Sequence, residues 1–246
     1  MSSETVIEIE NFKQQFGRNV VLENINLSVK KGEILGLLGP SGSGKTTLIK
    51  AIVGMNEPTQ GSVKVLQTKM PSLCVVSKIG YMAQSDALYE DLTAIDNILF
   101  FASLYGMNGK IAKKRADEVL ELVLLRDESK KLIKNYSGGM KRRLSLAIAL
   151  VHKPEILILD EPTVGIDPVL RIQFWEEFER LRKEGVTIII TTHVMDEAEH
   201  CDRLALIRNG GIIAIGTPDQ LKKNSGENTV EGAFLYYGKE GEVKNI

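Results

Sequence analysis

Ile34-Leu35-Gly36-Leu37-Leu38-Gly39-Pro40-Ser41-Gly42-Ser43-Gly44-Lys45-Thr46-Thr47 is the stretch whose reading decides the fold. Residues 34–38 are a short apolar run, the pattern of a strand buried on both faces. Residues 39–47 fit G-x-x-x-x-G-K-[ST], and an apolar-periodic helix over 46–53 follows, stopped by Gly54. Strand, glycine-rich loop and helix in that order are the context a phosphate-binding loop needs. Gly39, Gly42 and Gly44, with Pro40, Ser41 and Ser43 between them, let backbone N–H groups turn inward around phosphate oxygens at a helix N-terminus. Lys45 then reaches the β- and γ-phosphates as a point charge, and Thr46, followed by Thr47, offers a hydroxyl to Mg²⁺. The bland alternative is a glycine-rich turn that binds nothing.

Upstream of this stretch, residues 6–10 and 25–29 alternate apolar and polar side chains, as strands with one exposed face do. Downstream, 61–66 and 79–82 are strand candidates. From about 93 to 125 the period becomes helical, with Thr93 and Asp96 resembling a cap with an acidic first turn and a second helix over 110–123. Then α/β alternation returns: helix 138–151, apolar strand 156–159, helix 169–183, apolar strand 186–191 and a short helix 195–200. Residues 204–208 and 212–215, split by Asn209-Gly210-Gly211, read as a hairpin. Apolar strands alternating with helices predict a mostly parallel sheet covered on both faces. The fold class is therefore α/β, read as one domain over 1–246 with a helical insertion at about 86–140 and a short extension at about 217–246.

Composition narrows the function classes. The chain has 246 residues, 43% apolar and 26% charged, which is ordinary for a folded globular domain. A formal net charge of -1 gives no global basic field for nucleic acid. Basic runs such as Lys113-Lys114-Arg115, Lys130-Lys131 and Lys141-Arg142-Arg143 read as solvated helix faces. Cys74 and Cys201 are far apart and form neither a disulfide framework nor a zinc site. The start, Met1-Ser2-Ser3-Glu4, lacks the basic and apolar regions of a signal peptide. No apolar run approaches the ~20 residues needed to cross a bilayer.

Ile156-Leu157-Ile158-Leu159-Asp160-Glu161 is the second chemical signal. An apolar strand that ends in two carboxylates delivers them to the carboxyl edge of the sheet, where ligands of open α/β sheets bind. Asp160 is placed to hold Mg²⁺ and Glu161 to orient or deprotonate a water; alone, the pair could equally be surface carboxylates opening a loop. The third signal, Tyr136-Ser137-Gly138-Gly139-Met140, puts a serine and two glycines at a helix start, either a second anion site or a simple cap.

With that third segment the chain resembles the ATP-binding cassette (ABC) family, whose signature reads LSGGQ. The resemblance runs from about residue 6 to 237 and implies a fold of three parts: a phosphate-loop (P-loop NTPase) core, an N-terminal antiparallel β portion and an inserted α-helical subdomain. Tyr136 stands where the family has Leu, and Met140 where it has a Gln that approaches the nucleotide sugar. Gln84 matches the family's glutamine loop and implies a role in catalysis and at Mg²⁺. Gly165-Ile166-Asp167-Pro168 resembles the loop that contacts a partner subunit, which places Asp167 near nucleotide. His193 matches the switch histidine. Phe16 stands where the family stacks an aromatic on adenine, the other reading being a core aromatic; His152 and His200 match nothing and read as surface or structural.

The family implies the cofactors ATP and Mg²⁺, and a head-to-tail dimer in which the phosphate loop of one copy faces Ser137-Gly138-Gly139 of the other. It also implies a separate membrane permease as partner, no nucleic acid, and a place on the cytoplasmic face of the cell membrane. A helix of that permease would dock near Leu88, Tyr89, Leu99, Phe100, Phe101 and Tyr105, unless these are the insertion's own core. Residues 80–84, 88–93, 136–143, 216–218 and 230–234 resemble drug and antibiotic exporter ATPases, so export is expected over import. The competing reading is a soluble cassette such as an iron–sulfur assembly ATPase. DNA-repair cassettes carry long coiled coils between phosphate loop and signature, and no sustained heptads occur here.

Overall fold

The structure, a computed structural model, describes residues 4–243. Residues 1–3 and 244–246 lie outside it, and with them the ends of the expected 1–246 domain and part of the segment read against a signal peptide. The chain divides into two compact units, one from Met1–Val76 with Arg182–Ile246 and one from Ser77–Leu181.

The first unit opens with β1 (Thr5–Phe16) and β2 (Asn19–Lys30), an antiparallel hairpin closed by Phe16 opposite Asn19. Both strands run well past the segments whose alternation is clean. The reason is bulges: Asn11 and Asn24 have φ of 47° and 53°, and the β1–β2 register slips between Ile9 and Phe12. Each slip breaks the period-2 pattern without ending the strand. Asn26 Oδ1 accepts from Asn11 N at 2.9 Å and satisfies the bulged backbone. The hairpin extends through β4 (Gln60–Val65) and β5 (Thr68–Lys69) into an antiparallel sheet of order β2-β1-β4-β5.

The second sheet of this unit is built on β3 (Ile34–Leu38), all five residues buried. It lies parallel to β8 (Thr187–Thr192) on one side and to β9 (Arg203–Arg208) on the other, and β10 (Gly211–Gly216) returns antiparallel to β9. The expected hairpin is therefore β9–β10. Each Leu or Ile that β3 removes from water contributes ~1.5–3 kcal/mol. Helices α1 (Lys45–Ile52), α2 (Leu73–Val76), α7 (Met195–Ala198), α8 (Pro218–Ser225) and α9 (Val230–Val243) complete the unit. Thr217 and Gln220 form a capping box at the start of α8.

The second unit pairs β6 (Ile79–Met82) in parallel with β7 (Ile156–Asp160). Between them in sequence come α3 (Ala94–Leu104), α4 (Gly109–Leu122) and α5 (Gly138–Leu150), and after them α6 (Pro168–Lys183). Thr93 caps α3 by accepting from Asp96 N at 3.2 Å, as its spacing suggests. Tyr89, Phe100 and Phe101 pack edge-on or tilted against one another, yet Tyr89, Phe100 and Tyr105 stay at least a third exposed.

His152 is a structural histidine. Its ring stacks on Tyr105 at 3.7 Å, and Nε2 lies 3.1 Å from the Ile79 carbonyl. Donation from Nε2 leaves a buried Nδ1 with no hydrogen-bond partner among the described residues. Burial, opposed by the Ile79 contact and reinforced by Arg115, pulls its pKa down to about 4. The unfolded chain binds the proton near pH 6.5, so between about 6.5 and 4 it holds more protons than the folded chain. Stability is thus present above pH 6.5 and lost as pH falls toward 4. In urea titrations, His152→Phe, which keeps a ring on Tyr105, should flatten that decline; wild-type and variant curves falling in parallel would rule out this histidine as its source.

Candidate functional site

In the first unit, Leu38 pairs with Thr192 in parallel register, so the loop after β3 and His193 after β8 leave the same sheet edge. The loop has no room for a Cβ at two of its three glycines. A Cβ on Gly39 would lie 2.2 Å from the Ile207 carbonyl oxygen. Gly44 has φ of 106°, and a Cβ there would lie 2.5 Å from Leu22 Cδ2. Lys45 opens α1 and is buried, its Nζ donating to the carbonyls of Gly39 at 2.7 Å and Pro40 at 3.0 Å. Ser43 Oγ is buried with no hydrogen-bond partner among the described residues. An orphaned hydroxyl inside a concave glycine loop, next to an ammonium and a helix start, fits phosphate oxygens. Thr46 and Thr47 follow at the first turn of α1, half-buried.

His193 is exposed, but its neighbours are fixed. Thr192 Oγ1 donates to the buried Glu197 carboxylate at 2.8 Å and accepts from Val194 N at 2.9 Å. These bonds bracket His193 and set where its backbone turns. Sequence reasoning missed Glu197; the signal was a carboxylate one turn past the apolar strand, beside Ala198. Phe16 ends β1 half exposed, so it is no core aromatic.

In the second unit, Met82 pairs with Leu159, so the residues after β6 and β7 also leave one edge together. Gln84 Nε2 donates to Glu161 Oε2 at 3.1 Å. Asp160 is buried. Its charge, after burial as the larger cause, helps push the neighbouring Tyr81 phenol up to about 12. Glu161 has φ of 53°, a backbone region that side chains other than glycine rarely occupy and that costs about 1–3 kcal/mol.

Ser137 caps α5 by accepting from Met140 N at 3.3 Å, and Ser137 and Gly138 are exposed. Gly139 is half-buried, and a Cβ there would lie 3.3 Å from the Gly165 carbonyl oxygen. Tyr136 points the other way: it is buried, and its hydroxyl donates to the Glu128 carbonyl at 2.8 Å. Asp167 Oδ1 accepts from Val169 N and Leu170 N, each at 3.1 Å, and so caps α6.

Arg142 corrects the reading of Lys141-Arg142-Arg143 as a solvated face. It is buried, because it shares the stripe of α5 that holds Leu146, Ala149 and Leu150. That i, i+4, i+7 spacing was the signal in the sequence. Its guanidinium donates to four carbonyls: Ala83 at 2.7 Å, Gln84 at 3.1 Å, Glu161 at 2.6 Å, and Asp160.

The family model described as ABC transporter matches residues 22–164. The chain belongs to the ABC transporter family. It is 41% identical over 239 residues to the probable multidrug ABC transporter ATP-binding protein YbhF of Escherichia coli, covering 94% of this chain and 41% of that protein. It thus spans less than half the length of that relative. With the linearmycin resistance ATP-binding protein LnrL of Bacillus subtilis it shares 43% identity over 228 residues, 92% of this chain and 73% of LnrL. One solved structure, an ATP-binding subunit of an ABC transporter, superposes with a TM-score of 0.88 at 26% identity, over 95% of this chain and all of that one. The dimeric post-hydrolysis state of the cassette MJ0796 bound to ADP and Pi gives a TM-score of 0.79 at 28% identity, over 86% and 98%. The fold is the phosphate-loop ATPase cassette expected from the sequence, and the relatives are drug-exporter-like.

Among the described residues, no helix is long and apolar enough to cross a membrane, and no cluster of three or more His, Cys, Asp or Glu could hold a metal. Thr46 in the first unit, and Gln84 and Asp160 in the second, each carry an oxygen of the hard kind that Mg²⁺ takes.

Proposed function

We propose that this chain binds ATP with Mg²⁺, pairs head to tail with a second copy, and hydrolyses ATP to drive export through a separate membrane permease. The observation that carries the reading is the strained Glu161, its carboxylate paired with Gln84 directly after the buried Asp160. Strain retained beside two candidate ligands of one metal is the mark of a working residue.

Each residue then has a role. Residues 39–47 wrap the phosphates, Lys45 neutralises the β- and γ-oxygens, and Phe16 stacks on the base. Mg²⁺, when bound, neutralises phosphate charge. Glu161 accepts a proton from water as the water oxygen attacks the γ-phosphorus and the bond to ADP breaks. His193, fixed by Thr192 and Glu197, donates to the departing phosphoryl group. Ser137 and the Gly138 and Gly139 amides bind the γ-phosphate held by the other copy, and Asp167 lies in the loop facing that copy. ATP therefore joins two copies, and removing the γ-phosphate releases them. The whole of residues 1–246 acts as one cassette domain, with the helices near 86–140 facing the permease.

Export is supported by what the relatives are called, and a docking face for the permease by aromatic side chains left part-exposed at Tyr89, Phe100 and Tyr105. The cassette itself would lie on the cytoplasmic face of the membrane. The test is affinity purification of the tagged full chain from detergent extracts of its own cells. A multi-spanning membrane protein should come with it, and adding that partner should raise ATP turnover. Recovery only with soluble proteins would replace the exporter reading with a soluble ATPase.

A further inference from the structure

Arg142 ties three pieces of the second unit together. It lies five residues after Ser137, about 7.5 Å along α5 at 1.5 Å per residue. Its Nη1 donates to Ala83 and Gln84, and its Nη2 to Asp160 and Glu161. One buried, rigid, planar group therefore holds the backbone of both loops that carry the candidate catalytic side chains. Asp86 Oδ1 lies 3.7 Å from Nη1 and also accepts from Ser145 Oγ at 2.7 Å, so the guanidinium is braced from the loop side as well.

The consequence follows from where α5 begins. Ser137 caps this helix, and in the proposed dimer Ser137 meets the nucleotide held by the other copy. Any shift of α5 on that engagement carries Arg142 with it, and Arg142 carries the carbonyls of Gln84 and Glu161. Packed helices and buried hydrogen-bonded networks move as units rather than deforming smoothly.

We propose that Arg142 is a positioning residue that links nucleotide engagement at Ser137 to the placement of Gln84 and Glu161 in the same chain. The two ATP sites of the dimer are thereby coupled: occupancy of one through Ser137 sets the catalytic loops that serve the other. The linkage rests on the composite-site reading above. Lysine cannot replace this arginine, because a single ammonium lacks the planar fork that spans two pairs of carbonyls.

The experiment compares wild type, Ser137→Ala, Arg142→Lys and the double variant by steady-state ATP hydrolysis, with ATP affinity measured separately by titration. Arg142→Lys should lower kcat at least about tenfold, the size of loss that misplaced catalytic groups produce, while ATP affinity holds. The double variant should lose less than the product of the two single losses, since both break one linkage. Asp86→Ala, a change at a surface loop, provides a second variant should Arg142→Lys not fold. It should lower kcat with ATP affinity intact, again by less than a multiplicative amount when combined with Ser137→Ala. Losses that multiply, or a kcat unmoved by either variant, overturn the linkage alone. A Ser137→Ala protein as active as wild type removes the composite site, and the linkage with it.

Discussion

Replacing Glu161 by Gln should leave ATP bound and nearly stop its hydrolysis. The expected fall in kcat is about 10²–10³-fold, or about 3–4 kcal/mol in the barrier, the range of a general base removed. Gln keeps the length and shape of Glu. It sits at the same φ of 53°, and its amide oxygen still accepts from Gln84 Nε2. Arg142 bonds to the backbone carbonyl of residue 161, so that contact also survives. What disappears is the negative charge that also faces Arg142, and with it the capacity to take a proton from water. The melting temperature should therefore stay near that of wild type. With hydrolysis blocked, ATP keeps joining two copies, so size-exclusion chromatography with ATP should show a dimer that ADP does not support. Unchanged phosphate release would end the assignment of Glu161. A slow variant that stays monomeric with ATP would keep the base and remove the head-to-tail pairing.

How much of this was open to sequence reading depended on how local the physics was. The phosphate loop was readable because its glycines answer to close contacts that only a missing Cβ relieves, at Gly39 and Gly44. The ends of β7 and β8 were readable because wholly apolar runs stop at polar residues. The lengths of β1 and β2 were not, since the bulges at Asn11 and Asn24 scramble alternation in strands that continue. Helices α8 and α9 were passed over as an extension, although Thr217, Pro218 and Gln220 spell a helix start. In the site, residue types showed which groups could do chemistry. They did not show what holds them. The pairing of Gln84 with Glu161 joins residues 77 apart, and only the parallel register of β6 on β7 brings their loops to one edge. Arg142 was read as solvent-facing because charge was weighed before its place on the apolar stripe of α5.

Lys45→Ala should act earlier than Glu161→Gln, at nucleotide binding itself. The ammonium is buried at the head of α1 and is held by the Gly39 and Pro40 carbonyls, so its position is set before any ligand arrives. Charge-assisted hydrogen bonds to phosphate are worth about 1.5–3 kcal/mol, which predicts an ATP affinity weaker by about 10- to 150-fold. Lys45→Met separates charge from packing, because it keeps most of the aliphatic stem. If the charge decides, both variants should lose affinity alike. The rise in melting temperature that ATP gives to wild type by binding the folded state should vanish in both. If packing decides, Met should restore most of the affinity that Ala loses. Wild-type affinity in Lys45→Ala would contradict the phosphate loop as the nucleotide site. The contrast with Glu161→Gln then orders the two halves of the mechanism: one variant holds ATP poorly, whereas the other holds it and does not let it go.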